Sequence, residues 1–504
     1  MKSKIILYLF LSILFISTSC KKFLDREPYS QASDQTSWKA EGDANASVAA
    51  CYSLIRSALN AAITHFSYGD IATDEFNDIV GGDIDSYRAI ANVNWAVSIP
   101  AVNTYDPRLK LRLYTNFYTA ISQSNRCVYF INKMPDNVFA GDTKEAQAGT
   151  KNKYLGEAYF TRAFNYFYMA RVWGDIPLVT TYYPDASLAP ELERVAQKSI
   201  LNQCIADLSF AKQNLSWRDN ASADRGVRAD KGAVFALMAH IYAWQGLYDS
   251  CRMACDSIIL SNTYSYVPRN NFLSIFMGQS SEGIFEIAQN NLSESMRASD
   301  AFSITGVTLS QPYINGPTVP AWQINTATTN YLYSDTNDLR YKKAFVQIIN
   351  GSNNSVECIK YANIQNVNSN VAYQVALNNI IIFRYADIVL LKAEALALQS
   401  APDYTNALNL VNEVRGQANA APLDALSSTD LVNAIFTERG SELFLEGHRF
   451  YDLVRLARVT KQSPFANINY TEFLAGKYYW PLDPTLFLTN TKLKQTPFWV
   501  GKIR

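Results

Sequence analysis

Three carboxylates stand four residues apart late in the chain, Glu438, Glu442 and Glu446, inside the run 437–455. Positions four apart share a face of a helix, so one continuous helix over this run would set the three acids in line. Two facing carboxylates can divide acid and base work in glycoside hydrolysis. Glu residues on facing helices, with a Glu-x-x-His partner, can hold two metal ions. His448 follows Glu446 by two residues, which turns its ring away from the line, so the metal pattern is not met. Arg439, Arg449 and Arg455 stand three residues from Glu442, Glu446 and Asp452. That is the spacing of helical ion pairs, each contributing about 0.2–0.5 kcal/mol when exposed. Ile435, Phe436, Leu443, Phe444, Phe450, Leu453 and Val454 add an apolar side. The reading is therefore structural: an ion-pair ladder on a helix clamped between other helices, with no catalytic residue assigned.

The rest of the composition narrows the chemistry further. The 45 basic and 45 acidic residues balance, and no basic cluster interleaves with aromatics, which speaks against nucleic acid as the main partner. His65, His240 and His448 lie far apart in sequence, so no metal or cofactor is assigned. Cys51, Cys127, Cys204, Cys251, Cys255 and Cys358 form no Cys-x-x-Cys pair, which removes the zinc-knuckle and thioredoxin readings; buried free thiols are expected.

The N-terminus carries Lys2 and Lys4 before a hydrophobic run over 5–16, an export-signal pattern too short for a span of about 20 residues. Ser17-Thr18-Ser19 then leads to Cys20. This resembles a bacterial lipoprotein signal, in which Cys20 is lipidated, although Ser17 stands where a large aliphatic residue is usual. The organisation expected is a signal peptide over 1–19, a lipid anchor and tether over 20–37, and one body over 38–504. A lipid at the start leaves that body tethered to a membrane rather than crossing it.

Elements that could position a site follow from periodicity. Helical spacing of apolar residues covers 43–57, 111–134, 154–173 and 197–215. Over 231–260, Ala239, Tyr242, Gly246, Tyr248, Cys251 and Cys255 match the small and aromatic positions of a tetratricopeptide helical hairpin. A related half-pattern joins Ala393, Glu394 and Ala395 to Tyr404, Ala407 and Asn412. Stacked hairpins bury a continuous core and present a concave face. Periodicity fails over 68–107 and again over 261–379, where turn signals and isolated aromatics dominate, with short strands expected at 283–288 and 380–383. So much loop implies folded pieces of its own or a binding task.

Taken in order, these residues resemble the SusD/RagB family of Bacteroidetes outer-membrane lipoproteins. The likeness runs through Cys20 with Phe23-Leu24-Asp25 and Pro28, then Arg162-Ala163 and Tyr166, then 173–179 (Trp-Gly-Asp-Ile-Pro-Leu-Val). It continues with 384–388, Ala393-Glu394-Ala395, Asn412, Val414-Arg415, the 438–455 run, Trp480-Pro481-Leu482 and Asn490, while Gln495-Thr496-Pro497 departs from the usual ending. The resemblance implies a mainly α fold: a tetratricopeptide-like scaffold of about eight helices, with large loop-rich insertions and a few short strands. Its parts are an N-terminal SusD-like portion over 38–260, a loop-rich ligand region over 261–379, and a C-terminal helical portion over 380–504. It implies a non-enzymatic, surface-exposed nutrient binder of the outer membrane. Such a protein captures glycans and delivers them to a SusC-type TonB-dependent transporter. The alternatives are a peptide-binding RagB-like member, a tetratricopeptide assembly scaffold, or a glycoside hydrolase. Sugar rings offer a C–H face to aromatics and hydroxyls to polar side chains. The candidate ligand residues are therefore the loop aromatics Tyr87, Trp95, Tyr313 and Trp322, with Asp74 and Asn77 for polar contacts.

Overall fold

The computed structural model describes residues 37–503, apart from 80–83, 186–187, 219, 221, 352 and 371. The signal peptide, Cys20, nearly all of the tether and the 23–28 motif lie outside the described residues. Helices predominate. Eight of them form four hairpin-like pairs: α1 (Glu41–Asn60) with α2 (Thr115–Lys133), α3 (Lys144–Trp173) with α4 (Gln197–Asn214), α5 (Lys231–Gln245) with α6 (Tyr248–Leu260), and α7 (Tyr385–Leu398) with α8 (Tyr404–Gln417). Each pair also packs on the next in order, and α9 (Ser428–Glu442) and α10 (Arg449–Thr460) close the stack against α7 and α8.

Local chemistry sets the ends. Thr143 accepts a hydrogen bond from the Ala146 N–H at 3.2 Å, so α3 begins at Lys144, ten residues before the apolar periodicity becomes clear at Tyr154. Asp230 caps α5 by accepting from the Ala233 N–H at 2.8 Å. At the other end of α5, Gly246 takes the left-handed conformation, with φ 74°, that glycine adopts without steric cost. Ala239, Cys251 and Cys255 are fully buried where α5 and α6 meet, as the hairpin spacing requires.

Two excursions leave this scaffold, between α1 and α2 and between α6 and α7. Strand β1 (Phe76–Ile79) of the first pairs antiparallel with β4 (Trp322–Ile324) of the second, Phe76 opposite Ile324. The two expected strands appear as β2 (Gly283–Ile287) and β9 (Ile380–Arg384) and pair with each other. β3 (Met296–Arg297), β8 (Gln374–Ala376) and β7 (Ile364–Asn366) make a small sheet, and β5 (Phe345–Asn350) and β6 (Asn353–Cys358) a hairpin. The largest apolar cluster draws on both excursions and on the C-terminal segment, where Trp95 stacks on Trp480 at 4.4 Å and 10°.

The run 437–455 departs from expectation. It is not one helix: α9 stops at Glu442, a turn follows, and α10 starts at Arg449. Leu445 (φ 56°) and Gly447 (φ 77°) are both left-handed in that turn. A side chain at 447 has no room, because a Cβ there would lie 2.2 Å from His65 Nε2. Close approach of the short helix Thr64–Gly69 thus fixes glycine at the point where the chain reverses.

Candidate functional site

The three aligned acids still converge, but on partners far away in sequence. Glu442 accepts from Arg269 and Arg384, each at 2.7 Å, and from Arg340 at 2.9 Å. Glu438 meets Arg340 at 2.6 Å and Arg415 at 2.8 Å. Glu446 meets Lys360 at 2.6 Å and Arg384 at 2.7 Å. Glu282 adds Arg269 at 2.8 Å and Arg384 at 2.6 Å, and Asp338 adds Arg340 at 2.7 Å. Five carboxylates (Glu282, Asp338, Glu438, Glu442, Glu446) therefore face five cations (Arg269, Arg340, Lys360, Arg384, Arg415), and all but Arg415 are fully buried. Burial by itself would raise the pKa of Glu442; Arg269, Arg384 and Arg340 outweigh it and hold that carboxyl well below its ordinary value.

The expected local pairs largely fail. Arg439 binds Asp452 at 2.8 Å and Asp387 at 3.0 Å rather than Glu442, and Arg449 binds Asp74 at 2.7 Å rather than Glu446. Only Arg455 and Asp452 pair three apart, at 2.8 Å, and Arg455 also holds Glu394. The break after Glu442 puts Glu446 in the turn and Arg449 on the next helix, while Arg439, on the same helix as Glu442, is taken up by Asp452 and Asp387. No carboxylate of the ladder has a face open to a substrate.

Two of the three histidines do meet. His240 Nε2 lies 2.8 Å from Asp387, and His448 Nε2 lies 3.1 Å from the Ile382 carbonyl. Among the described residues, His240, Asp387 and His448 bring three possible metal-ligand atoms within 4.8 Å. The Arg439 guanidinium, 3.0 Å from the same carboxylate, opposes a cation there. Burial pushes His448 and His65 down to about 3, so both are neutral at pH 7. Arg171, near this second ionic group, has its charge over the rings of Tyr451 at 4.0 Å and Phe167 at 4.5 Å.

The first excursion is clasped onto the turn between α9 and α10. Asp70 accepts from the Gly447 N–H at 2.9 Å, and Glu75 accepts from the Leu445 N–H at 3.3 Å. Asp74 takes a two-pronged bond from Arg449, at 2.8 and 2.7 Å. Burial drives the Asp70 and Glu75 carboxyls well above their ordinary values. For Asp74, burial is outweighed by its Arg449 hydrogen bonds and charge, and its pKa is lowered.

Beyond the clasp, a cleft of about 400 Å³ opens between 72–77 and 88–93 of this excursion and the segment 464–467 after α10. Its polar lining is Thr73, Asp74, Asn77, Arg88, Asn92, Asn325 and Asn467, over apolar surface from Phe76, Val93, Leu453 and Phe465. Asn325 caps the helix Thr326–Leu332, and its own N–H donates to the Glu75 carbonyl at 2.8 Å. Asn467 Nδ2 donates to Asn92 Oδ1 at 3.3 Å, and Phe465 packs on Phe450 at 4.9 Å. These amides can both donate and accept.

Of the residues singled out in the sequence, Asp74 and Asn77 line this cleft, Asn77 exposed and Asp74 half committed to Arg449. The aromatic expectations need correction. Trp95 is fully buried against Trp480, and its indole N–H donates to the Ile90 carbonyl. Trp322 is 1% exposed, edge-on to Phe76 and Tyr87, and Tyr87 is itself buried with its hydroxyl on the Ala301 carbonyl. Neither tryptophan offers a ring face to a ligand; Trp322 packs at the β1–β4 junction, and Trp95 packs with Trp480, Phe450 and Trp499 in the core. Tyr313 packs elsewhere, beside Ala298, Leu309 and Ile314. Sequence reasoning missed Asn92, Asn325, Asn467 and Phe465; the recurrence of Asn in short non-periodic stretches (92 and 94, 467 and 469) was the available signal.

Residues 318–499 match the family described as the SusD family, and residues 22–243 match the one described as starch-binding, associating with outer membrane. SusD-like protein P38 of Formosa agariphila is 27% identical over 532 residues, covering 97% of this chain and 98% of its own. The solved structure of a SusD homologue from Bacteroides thetaiotaomicron superposes with a TM-score of 0.77 at 28% identity, over 92% of this chain and 99% of that one. B. fragilis NanU shares the fold, with a TM-score of 0.72 at 22% identity over 94% of this chain and 99% of its own.

Proposed function

The chain belongs to the SusD/RagB family, and from that premise we propose that it is a glycan-binding lipoprotein of the outer membrane. It captures oligosaccharide or polysaccharide in the cleft between 72–77, 88–93 and 464–467 and hands it to a SusC-type TonB-dependent transporter. Cys20 is the lipid anchor in this reading, and the body over 38–504 acts as one unit. The description of the 22–243 match, starch binding with outer-membrane association, favours it. Among the described residues no helix is long and apolar enough to cross a membrane.

One observation carries the proposal: the polar lining of the cleft is dominated by amides, and its carboxylate, Asp74, is neutralised by Arg449. A sugar hydroxyl both donates and accepts, so an Asn side chain can serve it in either direction. The apolar surface of Phe76 and Phe465 between the amides suits the C–H faces of a ring. The ladder carboxylates, the only candidates for hydrolysis raised by the sequence, are sealed in ion pairs, so binding rather than turnover is the activity assigned.

Isothermal titration of the full chain against a panel of glycans and peptides tests this. Replacing Asn77 and Asn467 together by Ala is expected to weaken glycan binding about tenfold or more, at about 0.5–1.5 kcal/mol for each lost hydrogen bond. Unchanged affinity would move the site elsewhere. Peptide binding without glycan binding would favour the RagB-like alternative.

A further inference from the structure

A second cleft, of about 660 Å³, borders the first on the far side of the segment after α10. It lies among the end of α7, the starts of α8 and α9, and the outer half of α10. Ser428, Asn433, Thr460, Gln462 and Ser463 supply hydroxyls and amides, over a floor of Val432, Leu456 and Val459. Tyr404, 41% exposed, stands at its edge with part of its ring open. No Asp, Glu, Lys, Arg or His lines it.

The two clefts adjoin at the segment after α10. Pro464 lines both, and α10 contributes Leu453 to the first and Leu456 to the second. Leu453 and Leu456 are three residues apart on one helix, an axial rise of about 4.5 Å. The segment 462–467 forms a saddle between them, with Gln462 and Ser463 facing one side and Phe465 and Asn467 the other.

We propose that the second cleft is a further binding subsite, and that one oligosaccharide chain crosses the saddle to occupy both clefts, with uncharged units in the second. This rests on the glycan-binding reading above and adds to it the length of the ligand and the charge of the part in the second cleft. Arg88 lines the first cleft, but no cation lines the second, so a carboxylate or sulfate placed there would lose its hydration with nothing in return. Hydroxyl and amide groups, by contrast, match a polyhydroxylated chain in both hydrogen-bonding directions. Contiguous subsites make affinity grow with chain length, because the second contact is made by a unit already held close.

The test is calorimetric titration of the full chain with size-graded neutral oligosaccharides cut from α-glucan, β-glucan, mannan, xylan and fructan, with uronic-acid oligomers alongside. Wild-type affinity should rise from disaccharides to chains of about eight units. The double variant Tyr404→Ala, Gln462→Ala should lose about tenfold or more for long chains while binding disaccharides as the wild type does. Both side chains are exposed, and an unchanged melting temperature confirms the fold. Affinity independent of length, long-chain binding untouched by the double variant, or preference for uronic-acid oligomers overturns this inference and leaves glycan binding standing. Binding of no oligosaccharide of any length overturns both.

Discussion

The ladder and the cleft wall are built within a few residues of each other and use opposite chemistry. In the ladder, five acids and five cations are stacked out of water, Glu442 alone meeting three guanidinium groups. In the cleft, amides dominate and Asp74 is already matched by Arg449. One loop serves both regions: Asp70 and Glu75 face the turn before α10, while Asn77 faces solvent. Charge is thus spent on holding the backbone, where partners are fixed. In the cleft, amides and Arg88 face solvent-accessible space. The line of acids, read from the sequence as a structural ladder, is a support for the turn and the loop beside it.

The comparison breaks first, if it is wrong, at Glu442. Removing one partner of a buried ionic group leaves the others uncompensated and typically costs about 3–5 kcal/mol. Glu442→Ala strips a carboxylate from Arg269, Arg340 and Arg384 at once, so urea unfolding should show a loss in that range or greater. Asn77→Ala, at an exposed position, should stay within about 0.5 kcal/mol of wild type. Similar losses in the two variants would erase the distinction between support and wall.

Arg449 joins the regions and should show an intermediate effect. Lysine keeps the charge but not the fork, so Arg449→Lys loses the two-pronged bond to Asp74. A cost of about 1.5–3 kcal/mol is expected, together with weaker glycan binding as the wall of the cleft loosens. Full stability with weakened binding would mean that the clasp orients the loop without holding it down.

Acid should act on the supports more than on the wall. His65 and His448 are pushed from 6.5 down to about 3. Between those values the unfolded chain binds a proton at each site and the folded chain does not, so stability rises with pH. This contribution is complete above 6.5 and is lost as the pH falls towards 3. Asp70 and Glu75, raised by burial, run the other way: the fold keeps protons that the unfolded chain releases, and their contribution is lost as pH rises. Urea midpoints measured from pH 7 to 4 should fall, and His65→Gln should flatten the fall. A flat profile in the wild type would show that the two opposing sets cancel.

Much of the scaffold was legible because helices and paired strands advertise their period. The hairpin α5–α6 could be read from Ala239, Gly246 and Cys255, and β2 and β9 from their short apolar runs. The loops carry no such period. In the excursions a tryptophan gives no hint of which way it faces, and burial of so large a ring is favourable enough to draw it inward, as with Trp95 and Trp322. Asp74 and Asn77 line the cleft while Asp70 and Glu75 of the same stretch are buried, and nothing in their spacing separates the two pairs. The ladder was misread for a different reason. Arg269, Arg340 and Arg384 approach Glu442 from 58 or more residues away, whereas spacing within one segment reveals only near neighbours. Gly447 is a residue type that favours a chain reversal, and it marks the turn between α9 and α10, although α9 already ends at Glu442.

The smallest predicted effect is the sharpest test of how charge is divided. The ladder is balanced without Asp70 and Glu75, five against five, so these two acids are the surplus. Each accepts a backbone N–H rather than a cation, and burial favours the protonated form. An amide of the same shape should then replace such an acid with little loss. Asp70→Asn keeps an oxygen for the Gly447 N–H and puts an NH2 group where the carboxyl proton sits. Its cost should be below about 1 kcal/mol, and it should shrink further as pH rises, since the amide has no proton to lose. Urea midpoints for this variant and the wild type at pH 5 and pH 8 measure both quantities. A loss as large as that of Glu442→Ala, growing with pH, would place a charge on Asp70 and make it a sixth acid of the ladder.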